Sequence, residues 1–155
     1  MKKKIVGIDR IEKFVNCELF QDQIEGRLIA VNKKFLAMNW KNEGHIGITD
    51  SSKPRKINPS GQIFKGNNSK ILDLEFSPFN NNLLASCHEN KSVLLWKIPD
   101  NDLKNIGIEK TIYDKHEYKV SFVNFNPISS DVNVHVHLMD IFIFGILKNR
   151  IILWN

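Results

Sequence analysis

Residues 71–78, which read ILDLEFSP, recur in modified form as VSFVNFNP at residues 120–127. The first copy continues to an apolar run that ends at Trp96, and the second continues to a similar run that ends at Trp154. Repeats of roughly 40–50 residues that end in an apolar stretch and Trp are typical of β-propeller blades. The pattern therefore predicts an all-β fold, in which two to three antiparallel sheets pack as the blades of a partial propeller.

The two copies differ in length, and the difference suggests an insertion. Removing residues 132–140 brings the second copy into register with the first. Loops tolerate added length at a small entropic cost, so we interpret this segment as an extended hairpin. The predicted organisation is an N-terminal region with a first blade at 1–65, a repeat at 66–110, and a degenerate repeat at 111–155 that contains the insertion.

Strand signals occur throughout the chain at short intervals. Short apolar or alternating segments bounded by Gly, Asn, Asp or Ser are typical of strands joined by turns. Residues 9–24 fit a helical stripe only loosely, and we find no convincing amphipathic helix. The strands predicted before residue 50 are 27–31, 35–40 and 45–49, and those of the first full repeat are 70–76, 83–87 and 92–98, with His88 in a hairpin connection.

The composition is that of a globular protein with an uneven charge. The chain has 155 residues, of which 42% are hydrophobic, and a net charge of +5. No apolar run approaches the ~18 residues of a membrane-spanning helix, and no secretory signal or metal-type Cys pair is present. Lys and Arg are concentrated in residues 1–70. We expect a cytoplasmic protein without a membrane span, whose basic half meets an acidic partner or guards exposed sheet edges.

Three segments of the chain resemble the coronin family. They are AVNKKFLA at residues 30–37, LDLEFSPFN at 72–80 and VLLWKIPD at 93–100. The resemblance spans about residues 25 to 131 and resumes weakly at 141–155. It implies a WD40-type propeller of seven blades that binds actin filaments, of which this chain corresponds to the N-terminal part.

The resemblance also implies a hydrogen-bonded network in each blade, made from a His, an Asp, a Ser or Thr, and the Trp. The first repeat has Asn67 at the usual His position, Asn90 at the usual Asp position, and retains Ser92 and Trp96. The second repeat keeps His116 and Trp154 but has Lys148 in place of the Asp. We therefore expect both networks to be incomplete, with His88 isolated, and such partly satisfied networks are unfavourable when buried.

Five basic residues are the candidates for actin contact. Coronins place an important basic contact in their N-terminal strand region, but the matching position in this chain is Glu18, and Arg10 and Arg27 are the nearest arginines. We do not transfer that contact. The candidates are instead Lys33 and Lys34, in one predicted turn, and Lys53, Arg55 and Lys56, in a polar loop.

The sequence lacks the patterns of common catalytic sites. We find no phosphate-binding Gly-rich loop, nucleophile elbow or paired Cys-x-x-Cys motif. Asp73 and Glu75 alternate with apolar residues and are interpreted as the polar side of a strand. His135 and His137 share one face of an extended segment, but no third metal ligand lies nearby. We expect no enzymatic activity, no cofactor and no metal.

Several functions remain open at this point. The first is binding to actin filaments, and to other cytoskeletal proteins, in the cytoplasm. The second is a general protein–protein scaffold that has lost the actin contact. Nucleic-acid binding by the basic half is disfavoured because Phe35 and Trp40 occupy strand-like apolar contexts.

Two or three blades would also leave open sheet edges through which the chain could self-associate. The sequence alone leaves three questions open: whether it is a fragment, which oligomeric state it has, and whether the insertion at residues 132–140 is genuine.

Overall fold

The described residues form four antiparallel sheets, two of four strands, one of three and one of two, and neighbouring strands in each sheet are consecutive in the sequence. The structure is a computed structural model. It describes residues 26–40, 44–51, 63–66, 68–100, 109–113, 119–128, 135–138, 141–143, 146–147 and 150–151.

The first sheet, which we call blade 1, has four strands and one strongly apolar face. Side chains two apart on a strand share a face. Phe35 and Ala37 on the second strand are therefore buried on the same side as Ile46 and Ile48 on the third. The strands are β1 (Ile29–Val31), β2 (Phe35–Asn39), β3 (His45–Asp50) and β4 (Ile63–Lys65).

The second sheet, blade 2, is covered on both faces, and its central strands are almost wholly buried. Its fourth strand ends at Tyr113, so this unit extends beyond the boundary predicted at residue 110. His88 was predicted to lie in the connecting hairpin, but it is the last residue of the second strand. The strands are β5 (Ile71–Phe76), β6 (Leu83–His88), β7 (Val93–Lys97) and β8 (Glu109–Tyr113).

The third sheet, blade 3, includes a strand within residues 132–140, the segment interpreted as an extended hairpin. Its strands are β9 (Val120–Asn124), β10 (His135–Leu138) and β11 (Ile141–Ile143), and β12 (Ile146–Leu147) pairs with β13 (Arg150–Ile151) in a separate two-stranded sheet. Strand β10 lies within the supposed insertion and pairs with both β9 and β11. The alternating residues of this segment suit a strand, and they supply the second strand of the blade.

Blades 1 and 2 pack face to face through a large apolar cluster. Phe64 of blade 1 stacks on Trp96 of blade 2, with ring centroids 5.8 Å apart. Stacked aromatic rings at this distance add to the free energy gained by burial. Around them lie Phe35, Ala37, Ile46 and Ile48 from blade 1, and Ile71, Leu74, Phe76, Leu84, Leu94 and Ile98 from blade 2.

Blades 2 and 3 pack through a second cluster on the opposite face of blade 2. Its members are Leu72, Ala85, Cys87, Val93 and Leu95 from blade 2, and Val120, Val123 and Phe125 from the start of blade 3. The first strands of the three blades are neighbours, since β5 contacts both β1 and β9. All regular elements of the described residues are strands, and the predicted all-β fold is confirmed.

Among the described residues, no helix has the length and apolar character needed to cross a membrane.

Candidate protein-binding face

The turns that follow the first strands of blades 1 and 2 meet at one end of the sheets, which we call the turn face. The side-chain amide of Asn32 donates to the carbonyl oxygen of Asn81, at 2.9 Å. Lys34 Nζ donates to Asn82 Oδ1, at 3.3 Å. These bonds join two turns that are nearly 50 residues apart in the sequence, so the turn face is continuous across both blades.

The first of these turns has a defined shape that exposes Lys33. Asn32 Oδ1 accepts hydrogen bonds from the backbone N–H groups of Lys34 (2.8 Å) and Phe35 (2.7 Å). An Asn side chain that bonds the backbone two residues later is typical of a tight turn. Lys33 lies at the tip of this turn and is exposed.

Lys34, the second predicted contact, is already engaged within the chain. Its ammonium forms an ion pair with Asp100 and lies 5.1 Å from the centre of the Phe35 ring. The bond from Lys34, together with one from Asn82, lowers the pKa of the Asp100 carboxyl. The positive charge of Lys34 is therefore balanced locally, whereas Lys33 has a side chain directed to solvent.

The other three predicted contacts, Lys53, Arg55 and Lys56, lie outside the described residues. The chain approaches that segment from the turn face, because the backbone N–H of Ser51 donates to the carbonyl oxygen of Lys34 at 3.0 Å. Strand β3 therefore ends beside the turn that carries Lys33.

The Trp96 indole belongs to a buried network that the sequence analysis missed. Trp96 Nε1 donates to Ser86 Oγ at 2.8 Å, and Ser86 Oγ lies 2.9 Å from His88 Nε2. His88 Nδ1 lies 3.0 Å from the carbonyl oxygen of Ser69. Trp96, Ser86 and His88 have no solvent exposure. The expectation that His88 is isolated is wrong.

The donors and acceptors of this network match along its whole length. The Ser69 carbonyl can only accept, so His88 Nδ1 carries the hydrogen and Nε2 accepts from the Ser86 hydroxyl. That hydroxyl in turn accepts from the Trp96 N–H. A His from β6 thus completes the network, although Asn67 stands at the position where the family resemblance places a His.

The remaining predicted network residues divide into two groups. Asn90 and Ser92 are bonded to each other, since Asn90 Oδ1 accepts from both the backbone N–H (3.2 Å) and the hydroxyl (2.7 Å) of Ser92. They shape the turn between β6 and β7. Asn67, His116 and Trp154 lie outside the described residues.

Arg27 links blades 2 and 3 through a cluster of charged groups. Its guanidinium bonds both oxygens of Asp73, at 2.9 and 2.7 Å, and Glu75 at 2.9 Å. It also donates to the carbonyl oxygen of Val123, at 2.6 Å, and to Asn124 Oδ1, at 3.0 Å. Bonding to the buried Asp73 raises the pKa of Arg27 further above its ordinary value.

The same carboxylates also bind the backbone of blade 3. Asp73 accepts from the Val123 N–H at 3.0 Å, and Glu75 accepts from the Phe125 N–H. Gly26 allows this arrangement, because a Cβ at that position would lie 2.0 Å from the Leu72 carbonyl oxygen. The alternation of Asp73 and Glu75 with apolar residues indicated the polar side of a strand, but no local pattern pointed to Arg27, which is 46 residues away from Asp73 in the sequence.

Comparison with known proteins supports the assignment made from the sequence. A family model described as a domain of unknown function, DUF1899, matches residues 9–56. A coronin-like protein of Schizosaccharomyces pombe, crn1, is 24% identical over 76% of this chain, and coronin-2B of Xenopus laevis is 34% identical over 52%. The crystal structure of the WD40 domain of Toxoplasma gondii coronin is similar over 83% of this chain, with a TM-score of 0.69 and 26% identity.

The resemblance to coronins is confirmed. The chain has the fold of a partial coronin WD40 propeller, and its three larger sheets follow one another along the sequence. It spans only 20% and 17% of the length of the two coronin relatives above, and 34% of the Toxoplasma WD40 chain. The similarity therefore concerns the fold of these blades, which are only a part of a coronin propeller.

Proposed function

We propose that this coronin-like chain binds actin filaments through the turn face, with Lys33 and the basic segment that contains Lys53, Arg55 and Lys56 as its contacts. The observation that carries the proposal is the exposure of Lys33 on a turn shaped by Asn32. An actin filament is an acidic protein polymer, and an exposed basic side chain such as Lys33 is complementary to it.

The proposed role is binding without catalysis, in the cytoplasm at the actin cytoskeleton. Burial raises the pKa of the Cys87 thiol, which therefore remains protonated and is a poor nucleophile. The imidazole of His88 is occupied by Ser86 and the Ser69 carbonyl. Cys87 packs in the apolar cluster between blades 2 and 3, and His88 belongs to the hydrogen-bonded network within blade 2.

Filament co-sedimentation tests the proposal. We expect the chain to pellet with actin filaments at low salt and less at high salt, because contacts between exposed charges are screened. Lys33→Glu should weaken binding roughly fivefold, as for the loss of an exposed charge pair, and the triple variant with Glu at 53, 55 and 56 should weaken it further. Lys119→Glu is the matched control, since Lys119 is exposed at the other end of β9.

A chain that does not pellet with actin at low salt would contradict the proposal. If Lys33→Glu and the wild-type chain bind equally well, the turn face is not the contact surface.

A second candidate is a protein–protein scaffold without an actin contact. It is favoured by one observation, the engagement of Lys34 by Asp100 and Asn82 within the chain. Under this alternative the turn face would have too little free positive charge to bind a filament, and the same pelleting assay would find the chain in the supernatant at every salt concentration.

A further inference from the structure

The three blades share a capped turn after their first strand. In each turn, a side-chain oxygen of the first residue accepts a hydrogen bond from the backbone N–H two residues later. This arrangement orders a short turn without help from the rest of the protein. The pairs are Asn32 with Lys34 (2.8 Å), Ser77 with Phe79 (3.3 Å) and Asn126 with Ile128 (2.8 Å).

Two of these turns present an apolar side chain to solvent at the same position. Phe79 is 51% exposed and Ile128 is 89% exposed, and each follows a proline. Neither side chain belongs to an apolar cluster of the described residues. A single exposed apolar residue is ordinary on a protein surface, but the same exposure at equivalent positions of two blades is a repeated feature.

The capped turns lie side by side. Asn32 and Lys34 bond to the turn that contains Phe79. Strands β5 and β9 are in contact, and the Phe125 N–H bonds to Glu75. Phe79 is three residues after Phe76, and Ile128 is three residues after Phe125. The two turns that contain them therefore follow neighbouring strands and lie at the same end of the sheets.

We propose that Phe79 and Ile128 form an apolar contact with the same filament that Lys33 approaches. The inference rests on the proposed function and specifies the chemistry of its site. The partner surface would be a protein surface that offers an apolar depression beside carboxylates. The turns are ordered before binding, so burying the two side chains requires little loss of conformational freedom in this chain.

Salt separates the apolar contact from the charged one. Attraction between exposed charges decreases as the ionic strength increases, whereas apolar contacts are not screened. Lys33 should therefore contribute mainly at low salt. Phe79 and Ile128 should contribute at every salt concentration, and the binding that remains at high salt should depend on them.

Co-sedimentation with actin filaments at two salt concentrations tests this inference. The double variant Phe79→Ser and Ile128→Ser should bind roughly tenfold more weakly at both concentrations, as expected when central apolar contacts are truncated. Lys33→Glu should bind more weakly mainly at low salt. The control is Lys119→Ser, because Lys119 is exposed at the other end of β9 and does not lie in a capped turn.

The outcomes distinguish this inference from the proposed function. If the wild-type chain pellets and the double variant pellets equally well, the apolar contact is overturned and the proposed function stands. If the wild-type chain does not pellet at any salt concentration, both are overturned. Phe79→Leu should retain binding, and unchanged urea midpoints for all variants would show that the losses do not come from unfolding.

Discussion

Asp73 shows how a charged residue can be required in the interior of this fold. Its carboxylate has no solvent exposure, because blade 2 is covered on one face by blade 1 and on the other by blade 3. A buried carboxylate is tolerated only when it is paired and hydrogen-bonded. Arg27 and the Val123 N–H provide those bonds, and they come from two different parts of the chain.

Removing this carboxylate should be costly for stability. We expect Asp73→Ala to lower the free energy of unfolding by about 3 kcal/mol, because it leaves a buried backbone N–H and part of a guanidinium without their partner. Urea unfolding followed by tryptophan fluorescence measures the effect. Glu75→Ala is the control and should cost less, since the Glu75 side chain is 26% exposed. An equal or larger loss for Glu75→Ala would contradict the role assigned to Asp73.

At the scale of the elements, the stability of blade 2 depends on a network that connects three of its segments. Ser86 on β6 and Trp96 on β7 are joined across a strand pair, and His88 extends the network to the loop before β5. All the polar groups of these side chains that face the core have partners. The network therefore favours one register of β6 against β7, since a shift by one residue would separate the groups.

Removing the Ser86 hydroxyl should destabilise the blade more than a comparable change in its turn. Ser86→Ala would leave both the Trp96 N–H and His88 Nε2 buried without a partner, which should lower the free energy of unfolding by about 2–3 kcal/mol. Ser92→Ala removes one hydroxyl from a turn whose Asn90 still accepts the backbone N–H, and should cost about 1 kcal/mol or less. Equal urea midpoints for the two variants would contradict the network.

At the scale of the whole molecule, the flanks of the outer blades resemble the surfaces buried between blades. Ile29 and Val31 on β1 are 51% and 66% exposed, and Phe122 on β9 is 38% exposed. In a closed propeller every blade has a neighbour on each side. The three blades of this chain leave these apolar side chains uncovered within the molecule.

We predict that the isolated chain of 155 residues self-associates through these flanks. Contact between different surfaces of successive copies would be head-to-tail, so the assembly would grow with concentration unless it closed into a ring. Sedimentation velocity at several concentrations measures it, and Val31→Lys should shift the chain toward monomer. Ile128→Ser is the control because Ile128 is exposed on a turn. A monomer at all concentrations would contradict this prediction.

The sequence predicted the features of this protein that depend on local patterns. The period of two in apolar residues, the turn residues between strands and the recurrence of one pattern were enough to predict consecutive antiparallel blades. The predicted strand 70–76 contains Ile71, Leu74 and Phe76, which are buried in the cluster between blades 1 and 2. These signals are local because strand alternation and turn geometry depend on neighbouring residues.

Only the tertiary structure decided which distant residues meet. Arg27 with Asp73, Lys34 with Asp100, and His88 with Ser69 are pairs that no local pattern specifies. The sequence predicted an extended hairpin at residues 132–140, but it did not predict that β10 in this segment pairs with β9 as well as with β11. The physical reason is the same in each case: burial and hydrogen bonding are satisfied by groups that are distant in the sequence, within a blade or between blades, and packing determines which groups meet.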